Sequence, residues 1–290
     1  MLAPELTQAL RYSLGSAIAR SRRLSGGDIN DAFELELASG TRVFLKTNDA
    51  APPAMFPAEA RGLEWLRAAG GLRIPEVLAV SSGRAGEPSF LVLELLAPGR
   101  PAPDFDERLG HGLAALHRAG APTFGLEHDN FIGSLPQRNT PQQSWADFLW
   151  FERFEPQLAR AAASGHVSVR LRRGFDELSS KLGQLVGPAE PPARLHGDLW
   201  SGNLHVDDAG APCLIDPAAY GGHREMDLAM MRLFGGFSER AFRAYHEAYP
   251  LAAGSAERIA LYQLYPLLVH VNLFGAGYVP QVERSLARYV

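Results

Sequence analysis

The stretch Leu195-His196-Gly197-Asp198-Leu199-Trp200-Ser201-Gly202-Asn203 constrains this chain more than any other. It sets a carboxylate and a carboxamide in the spacing H-x-D-x-x-x-x-N. A loop of that length can hold Asp198 beside an acceptor hydroxyl, where the carboxylate orients the group and takes its proton. The oxygen of Asn203 is neutral and hard, which suits Mg²⁺. Further along, Asp216 ends the apolar run Cys213-Leu214-Ile215, and Asp208-Ala209-Gly210 marks a turn between Asn203 and that run. A hairpin there folds the chain back and brings Asp216 beside Asn203. One carboxylate and one amide would then face the same metal-nucleotide site.

This is the logic of kinase catalytic loops, and the upstream sequence supplies the remaining parts in the order kinases use. Val43-Phe44-Leu45-Lys46 reads as a buried strand ending in a lysine that can reach the phosphates of ATP. Glu59, on the next predicted helix, is placed to fix the Lys46 side chain. Gly26-Gly27 precedes the strand pair as a phosphate-covering turn, although it lacks the full glycine-rich pattern. Glu94, Leu95 and Leu96 follow an apolar strand where a hinge would offer backbone groups to adenine. Asp216-Pro217-Ala218 stands where protein kinases carry D-F-G, so no phenylalanine switch is expected.

The predicted elements fit an α+β, protein-kinase-like fold of two lobes. Leu6, Leu10, Leu14 and Ile18 mark an opening amphipathic helix. Two strands follow, over 32–38 and 41–47, joined at Ser39-Gly40 in a two-residue hairpin. A helix over 56–69, then strands near 76–81 and 89–95, complete a small antiparallel sheet with one helix. Pro98-Gly99 and the prolines through Pro103 break the pattern. Helical periodicity then dominates, over 106–118, 144–163, 167–185, 225–233, 238–248 and 256–274, with a strand-rich block at 194–216. The expected division is a nucleotide-binding lobe over 1–96 and a helical catalytic and substrate lobe over 97–290.

Composition narrows the ligands. Among 290 residues, 46% are hydrophobic and the net charge is −4, so no basic excess invites nucleic acid or an anionic membrane. The N-terminus lacks signal-peptide character and no apolar run is long enough to span a bilayer, which makes the cytoplasm the expected compartment. The single cysteine, Cys213, excludes an internal disulfide and lies in a buried-looking strand, where no redox role is expected. His196 reads as a structural support of the catalytic loop. Asp227 reads as a cap or brace of a helix beside that loop. His111 and His117 read as surface or core.

Beyond single motifs, the segments HGDLWSGN and LIDPAAYGGHREMDLAMMRLFGGF resemble the fructosamine (ketosamine) kinase family. That family shares a superfamily with aminoglycoside phosphotransferases and choline kinases. FLKTN, MFPAEARGL, HDNFIGSLPQ and LYQLYPLLVHVNLFGAGY are similar to family segments as well, so the likeness covers almost the whole chain. The resemblance implies transfer of the ATP γ-phosphoryl group to the C3 hydroxyl of a ketoamine, free or protein-bound, leading to deglycation. It implies Asp198 as catalytic base, Asn203 and Asp216 as Mg²⁺ ligands, and Lys46 with Glu59 at the phosphates. Trp200 is the candidate wall under the sugar.

Two other readings compete. An aminoglycoside or other amino-sugar kinase would need acidic residues to match a polycation, and LYQLYPLLVHVNLFGAGY carries none. A catalytically inactive nucleotide-binding module would have lost one of Lys46, Asp198, Asn203 or Asp216, and all four are present.

Overall fold

The computed structural model describes residues 2–24 and 30–290. Helix α1 (Pro4–Leu14) buries Leu6 and Leu10 and stops at Gly15, whose left-handed φ of 63° a side-chain-bearing residue rarely adopts. Ile18, expected on that helix, instead opens strand β1 (Ile18–Leu24). The apolar pattern could not show β1, because its residues between Ile18 and Leu24 are all exposed. Backbone pairing with β2 (Asp31–Leu37) holds it in place, from Ile18 opposite Leu37 to Leu24 opposite Ala32. Three strands therefore precede the first-lobe helix, not two.

Strand β3 (Arg42–Thr47) pairs antiparallel with β2. Their connection is a four-residue loop over 38–41 closed by Leu37 N–H donating to Thr41 O at 2.8 Å, longer than the two-residue turn expected. Helix α2 (Met55–Arg67) follows, then β4 (Val77–Val80) and β5 (Phe90–Glu94). The sheet order is β1-β2-β3-β5-β4. Every pairing is antiparallel. This order makes β3 the central strand and puts its end beside β5, with α2 packed against the sheet.

The second lobe starts with α3 (Phe105–Arg118). A short hairpin of β6 (Asn130–Ile132) and β7 (Leu135–Gln137) follows, which periodicity did not predict. The helix expected over 144–163 is two pieces, α4 (Trp145–Phe148) and α5 (Glu155–Ala163), joined by a wider π-type turn over Leu149–Phe154. Helix α6 (Val169–Leu185) is capped by the Ser168 hydroxyl, which accepts from Leu171 N–H at 3.0 Å. Four short strands come next: β8 (Ala193–Leu195), β9 (Leu204–Val206), β10 (Pro212–Leu214) and β11 (Tyr220–Gly222). They form the ladders β9–β10 and β8–β11. Helices α7 (Glu225–Leu233), α8 (Glu239–Ala248), α9 (Ser255–Phe274) and α10 (Val279–Leu286) close the chain.

Three apolar clusters hold these layers. One lies between α1 and the sheet, around Leu10, Leu35, Leu45 and Val92. A second fills the helical lobe, around Phe154, Phe175, Tyr262 and Tyr265. The third joins the lobes: Phe56, Leu63 and Leu66 of α2 share it with Leu113 of α3, Leu199 and Leu214. Burial of each such side chain contributes about 1.5–3 kcal/mol. That shared cluster sets the sheet and the catalytic loop face to face. Cys213 is buried in β10, and burial pushes its thiol up to about 12, so it is inert as a nucleophile. Among the described residues, no helix is long and apolar enough to cross a membrane.

Candidate active site

Lys46 leaves the end of β3 and is almost fully buried. Its Nζ donates to Glu59 Oε1 at 2.7 Å and to Asp216 Oδ1 at 2.5 Å. Glu59 comes from α2 and Asp216 from the loop after β10, so one ammonium ties together three separate parts of the chain. Burial alone would push the ammonium below its ordinary value, but the charges of Asp216 and then Glu59 outweigh it and hold Lys46 well above it. Burial lifts Glu59 above the usual carboxylate range, against the pull of Lys46. Asp216 is the one non-glycine residue with positive φ among those described, at 55°. Aspartate tolerates this conformation better than most residues, and strained backbone of this kind gathers at functional sites.

The loop carrying Asp198 is pinned from beneath. Strand β8 pairs with β11, with Leu195 opposite Tyr220. At Gly197 the backbone has φ of 83°, and a Cβ there would sit 2.1 Å from Ala218 O. Only glycine fits so close a passage. Asp227, on α7, accepts from the backbone N–H groups of His196 at 2.8 Å and Gly197 at 2.9 Å. The His196 ring is buried and bonds through Nε2 to Ile215 O at 2.8 Å, linking the loop to the strand before Asp216. Burial lowers the His196 pKa and keeps the ring neutral.

Asp198 and Asn203 occupy the two ends of this loop. Asn203 Nδ2 donates to Asp198 O at 2.8 Å and to Asp198 Oδ2 at 3.2 Å. Those two acceptors fix the amide orientation and leave Asn203 Oδ1 as the outward oxygen. Ile215 N–H donates to Asn203 O at 3.1 Å, which closes the β9–β10 hairpin and returns Asp216 to the same place. Burial pushes the Asp198 carboxyl up to about 7, with the Asn203 hydrogen bond opposing and the charge of Asp216 adding to the rise. A carboxylate at that value can both carry charge and accept a proton near neutral pH.

Lys46, Glu59, Asp198, Asn203 and Asp216 line one cavity of about 1270 Å³ between the lobes. Lys46, Glu59 and Asp216 stand toward the sheet, and Asp198, Asn203 and Trp200 toward the helices. Trp200 is 41% exposed. Its ring lies on Gly202, where a Cβ would come within 2.2 Å of it. Glu94, Leu95 and Leu96 lie on the cavity wall at the end of β5. The Glu94 backbone N–H is already given to Glu76 O at 2.9 Å and its carboxylate pairs with Arg73, so neither is free for a nucleotide base. Gly26 and Gly27 lie outside the described residues.

Sequence reading missed part of the scaffold. His117, on α3, touches Asp227 Oδ2 through Nε2 at 3.2 Å and Tyr245 through Nδ1 at 2.8 Å. The β6–β7 hairpin is tied to the chain just after Asp216 through Asn130 Nδ2 to Ala219 O at 2.8 Å and Gln137 Nε2 to Ala218 O at 3.0 Å. Asn139 extends that network to the buried Arg153, whose guanidinium lies 3.9 Å from the Tyr220 ring centre. Only the segment HDNFIGSLPQ pointed to this region.

The donor set suits a magnesium nucleotide. Among the described residues, no group of three or more His, Cys, Asp or Glu side chains forms a site that could hold a metal by itself. One carboxylate and one amide oxygen in an open cavity is what Mg²⁺ takes when phosphate oxygens complete its shell.

Comparison with known proteins places the chain in a family. The fructosamine kinase family model matches residues 3–290. A Synechocystis protein assigned as a ketoamine kinase is 42% identical over 275 residues, covering 93% of this chain and 90% of its own. The chloroplastic protein-ribulosamine 3-kinase of Arabidopsis thaliana is 37% identical over 267 residues, covering 90% of this chain and 79% of its own. A crystal structure of a Thermobifida fusca protein assigned as a fructosamine-3-kinase superposes with a TM-score of 0.90 at 40% identity, covering 98% of each chain. The two-lobe α+β architecture is thus the protein-kinase-like fold expected from the sequence.

Proposed function

The chain belongs to the fructosamine kinase family, and from that premise we propose that it transfers the γ-phosphoryl group of ATP to a sugar hydroxyl of a ketoamine, at C3. The observation that carries this reading is the meeting of Lys46, Asp198, Asn203 and Asp216 in one cavity, from distant parts of the sequence.

Asp198 accepts a hydrogen bond from the acceptor hydroxyl and takes its proton as the hydroxyl oxygen forms its bond to the γ-phosphorus. The bond from that phosphorus to the bridging oxygen breaks, and ADP leaves with the electron pair. Asn203 Oδ1 and the Asp216 carboxylate are the groups that would hold Mg²⁺, which when bound offsets the charge of the phosphates. Lys46 gives up its contact with Asp216 and donates to the α- and β-phosphates, while Glu59 keeps the ammonium aimed. Leu95 and Leu96 offer backbone to the adenine. Trp200 lies under the C–H face of the sugar. Such a site works by positioning and charge, since little covalent chemistry is asked of the protein.

Pro217 supports a site that stands assembled. It lies where a movable phenylalanine would be, against α2 at Gly62, where a Cβ would lie 3.9 Å from its ring. The Lys46–Glu59 pair is in place, with Nζ 2.7 Å from Oε1.

An ADP-release assay over fructose-, ribulose- and erythrulose-type lysine adducts, with an aminoglycoside in parallel, tests the reading. Turnover of at least one adduct is expected, with the product phosphate on C3 by phosphorus–proton coupling. Turnover of the aminoglycoside alone would overturn it in favour of the amino-sugar kinase.

A further inference from the structure

The cavity continues past Trp200 to an aromatic wall that the phosphoryl chemistry does not use. Phe234, at the end of α7, His270 and Phe274 on α9, and Tyr278 all line it. Their rings form one cluster centred on His270. It lies 4.8 Å from Phe234, 5.0 Å from Tyr278 and 5.3 Å from Phe274, centre to centre. Phe274 is 58% exposed and Phe234 41%, so these rings turn apolar faces to the cavity and not into the core. Large aromatics left uncovered in the cavity that Asp198 also lines form a ready contact surface for substrate.

His270 supplies the polar group of this wall. Its Nδ1 lies 2.7 Å from the backbone oxygen of Pro266, one turn back. A carbonyl oxygen only accepts, so the ring proton sits on Nδ1 and Nε2 carries a lone pair. Burial lowers the pKa of His270, which keeps the ring neutral. Among the described residues, the acidic ones lining the cavity are Glu34, Glu59, Glu94, Asp198 and Asp216. None of them belongs to α7, α9 or the turn after α9. Among the described residues, this end therefore offers π faces and one fixed acceptor, without a carboxylate.

Three kinds of ligand can be compared with that surface. A polycation would need several carboxylates, and a bare sugar would need several hydrogen-bond partners. A single secondary ammonium on an aliphatic stem needs one acceptor for its N–H, ring faces for its charge and apolar surface for its methylenes. Resting on the ketoamine reading above, we propose that Phe234, His270, Phe274 and Tyr278 form the subsite for the amine half of the substrate. His270 Nε2 accepts from the linking ammonium, and Phe274 with Tyr278 covers the alkyl stem. Specificity for an amine-linked sugar then comes from this wall, and Trp200 and Asp198 act on the sugar half.

The test compares two synthetic substrates. One is 1-deoxy-1-(hexylamino)ribulose. The other is its ether counterpart, in which oxygen replaces the nitrogen and no charge is present. The wild-type protein is expected to prefer the amine by roughly tenfold or more in kcat/KM, the scale of one cation–π contact plus one charge-assisted hydrogen bond. His270→Ala and Phe274→Ala are each expected to shrink that preference severalfold, through KM for the amine and not through KM for ATP. His270→Gln, which keeps an acceptor, should recover part of it. Thermal midpoints measured alongside confirm that the variants fold. An equal preference in the wild type, or a preference unchanged in both alanine variants, overturns the subsite. Turnover of neither substrate or lysine adduct defeats the ketoamine reading itself, and the subsite falls with it.

Discussion

Asp198→Asn is expected to lower kcat by about 10³-fold, within the span of general-base catalysis, while affinity for the magnesium nucleotide stays near that of the wild type. The asparagine keeps the shape and the contact with Asn203 but cannot take a proton. The same substitution has a second expected result, which separates a lost base from a broken fold. Burial raises the Asp198 carboxyl from 3.8 to about 7. A group whose folded value lies above its unfolded value stabilises the fold fully at pH values below the unfolded one. That contribution is lost as pH rises through the folded value. Wild-type stability should therefore decline between about pH 4 and pH 7 on account of this group, whereas a neutral asparagine is unaffected. The thermal midpoint of Asp198→Asn should exceed that of the wild type at pH 8, and the gap should narrow through pH 5 and close near pH 4. The wild-type kcat/KM should fall below about pH 7 as the carboxylate gains its proton. Activity near wild type in the variant would remove Asp198 from the mechanism.

Asp227→Ala is expected to damage both stability and rate, although Asp227 is not one of the groups proposed to meet the substrates. The carboxylate is 1% exposed, and both oxygens are engaged by His196 N–H, Gly197 N–H and His117 Nε2. Burial would raise its pKa, but His117 above all, with His196 and Gly197, holds it below the usual range. Removing the carboxylate leaves three donors in a dry interior, at a cost of about 3–5 kcal/mol. For a chain of this size that is a fall of roughly 10 °C in thermal midpoint. The loop would also lose the two bonds that aim Asp198, and a misplacement of about 1 Å can cost 10²-fold in rate. Calorimetric scanning and steady-state kinetics on one preparation check both effects. A midpoint and kcat within error of the wild type would show that the loop does not depend on this brace.

The parts of the site that were legible in the sequence are those set by short-range spacing. Asp198 and Asn203 share one loop, and Asp216 follows one hairpin, so a local turn suffices to bring them together. Lys46 and Glu59 were legible because strand and helix patterns fixed their elements. The brace was half legible. Asp227 was expected to cap or brace a helix beside the loop, whereas it holds the loop's own N–H groups; its partner His117 comes from α3, and no local rule joins the two. The β6–β7 hairpin has strands of three residues and includes Pro136, too short for alternation to register. Its hold on Ala218 and Ala219 runs through side-chain amides far away in sequence. Strand β1 was hidden for the opposite reason. Its stability comes from backbone pairing with β2 and exposed ion pairs such as Arg22–Glu34, and an apolar pattern carries no trace of either. The π-type turn at Leu149–Phe154 also lay beyond periodicity, although Pro156 at the start of α5 lacks the N–H that a continuous helix would use there.

The most direct test is a crystal of the protein grown with a non-hydrolysable ATP analogue and Mn²⁺, with the metal located by its anomalous scattering. The account predicts a peak within bonding distance of Asn203 Oδ1 and the Asp216 carboxylate, and Lys46 Nζ moved from Asp216 onto the phosphates. The terminal phosphate should face Asp198 across a gap the size of a hydroxyl. A metal bound away from Asn203 and Asp216, or a triphosphate pointing away from Asp198, would contradict it.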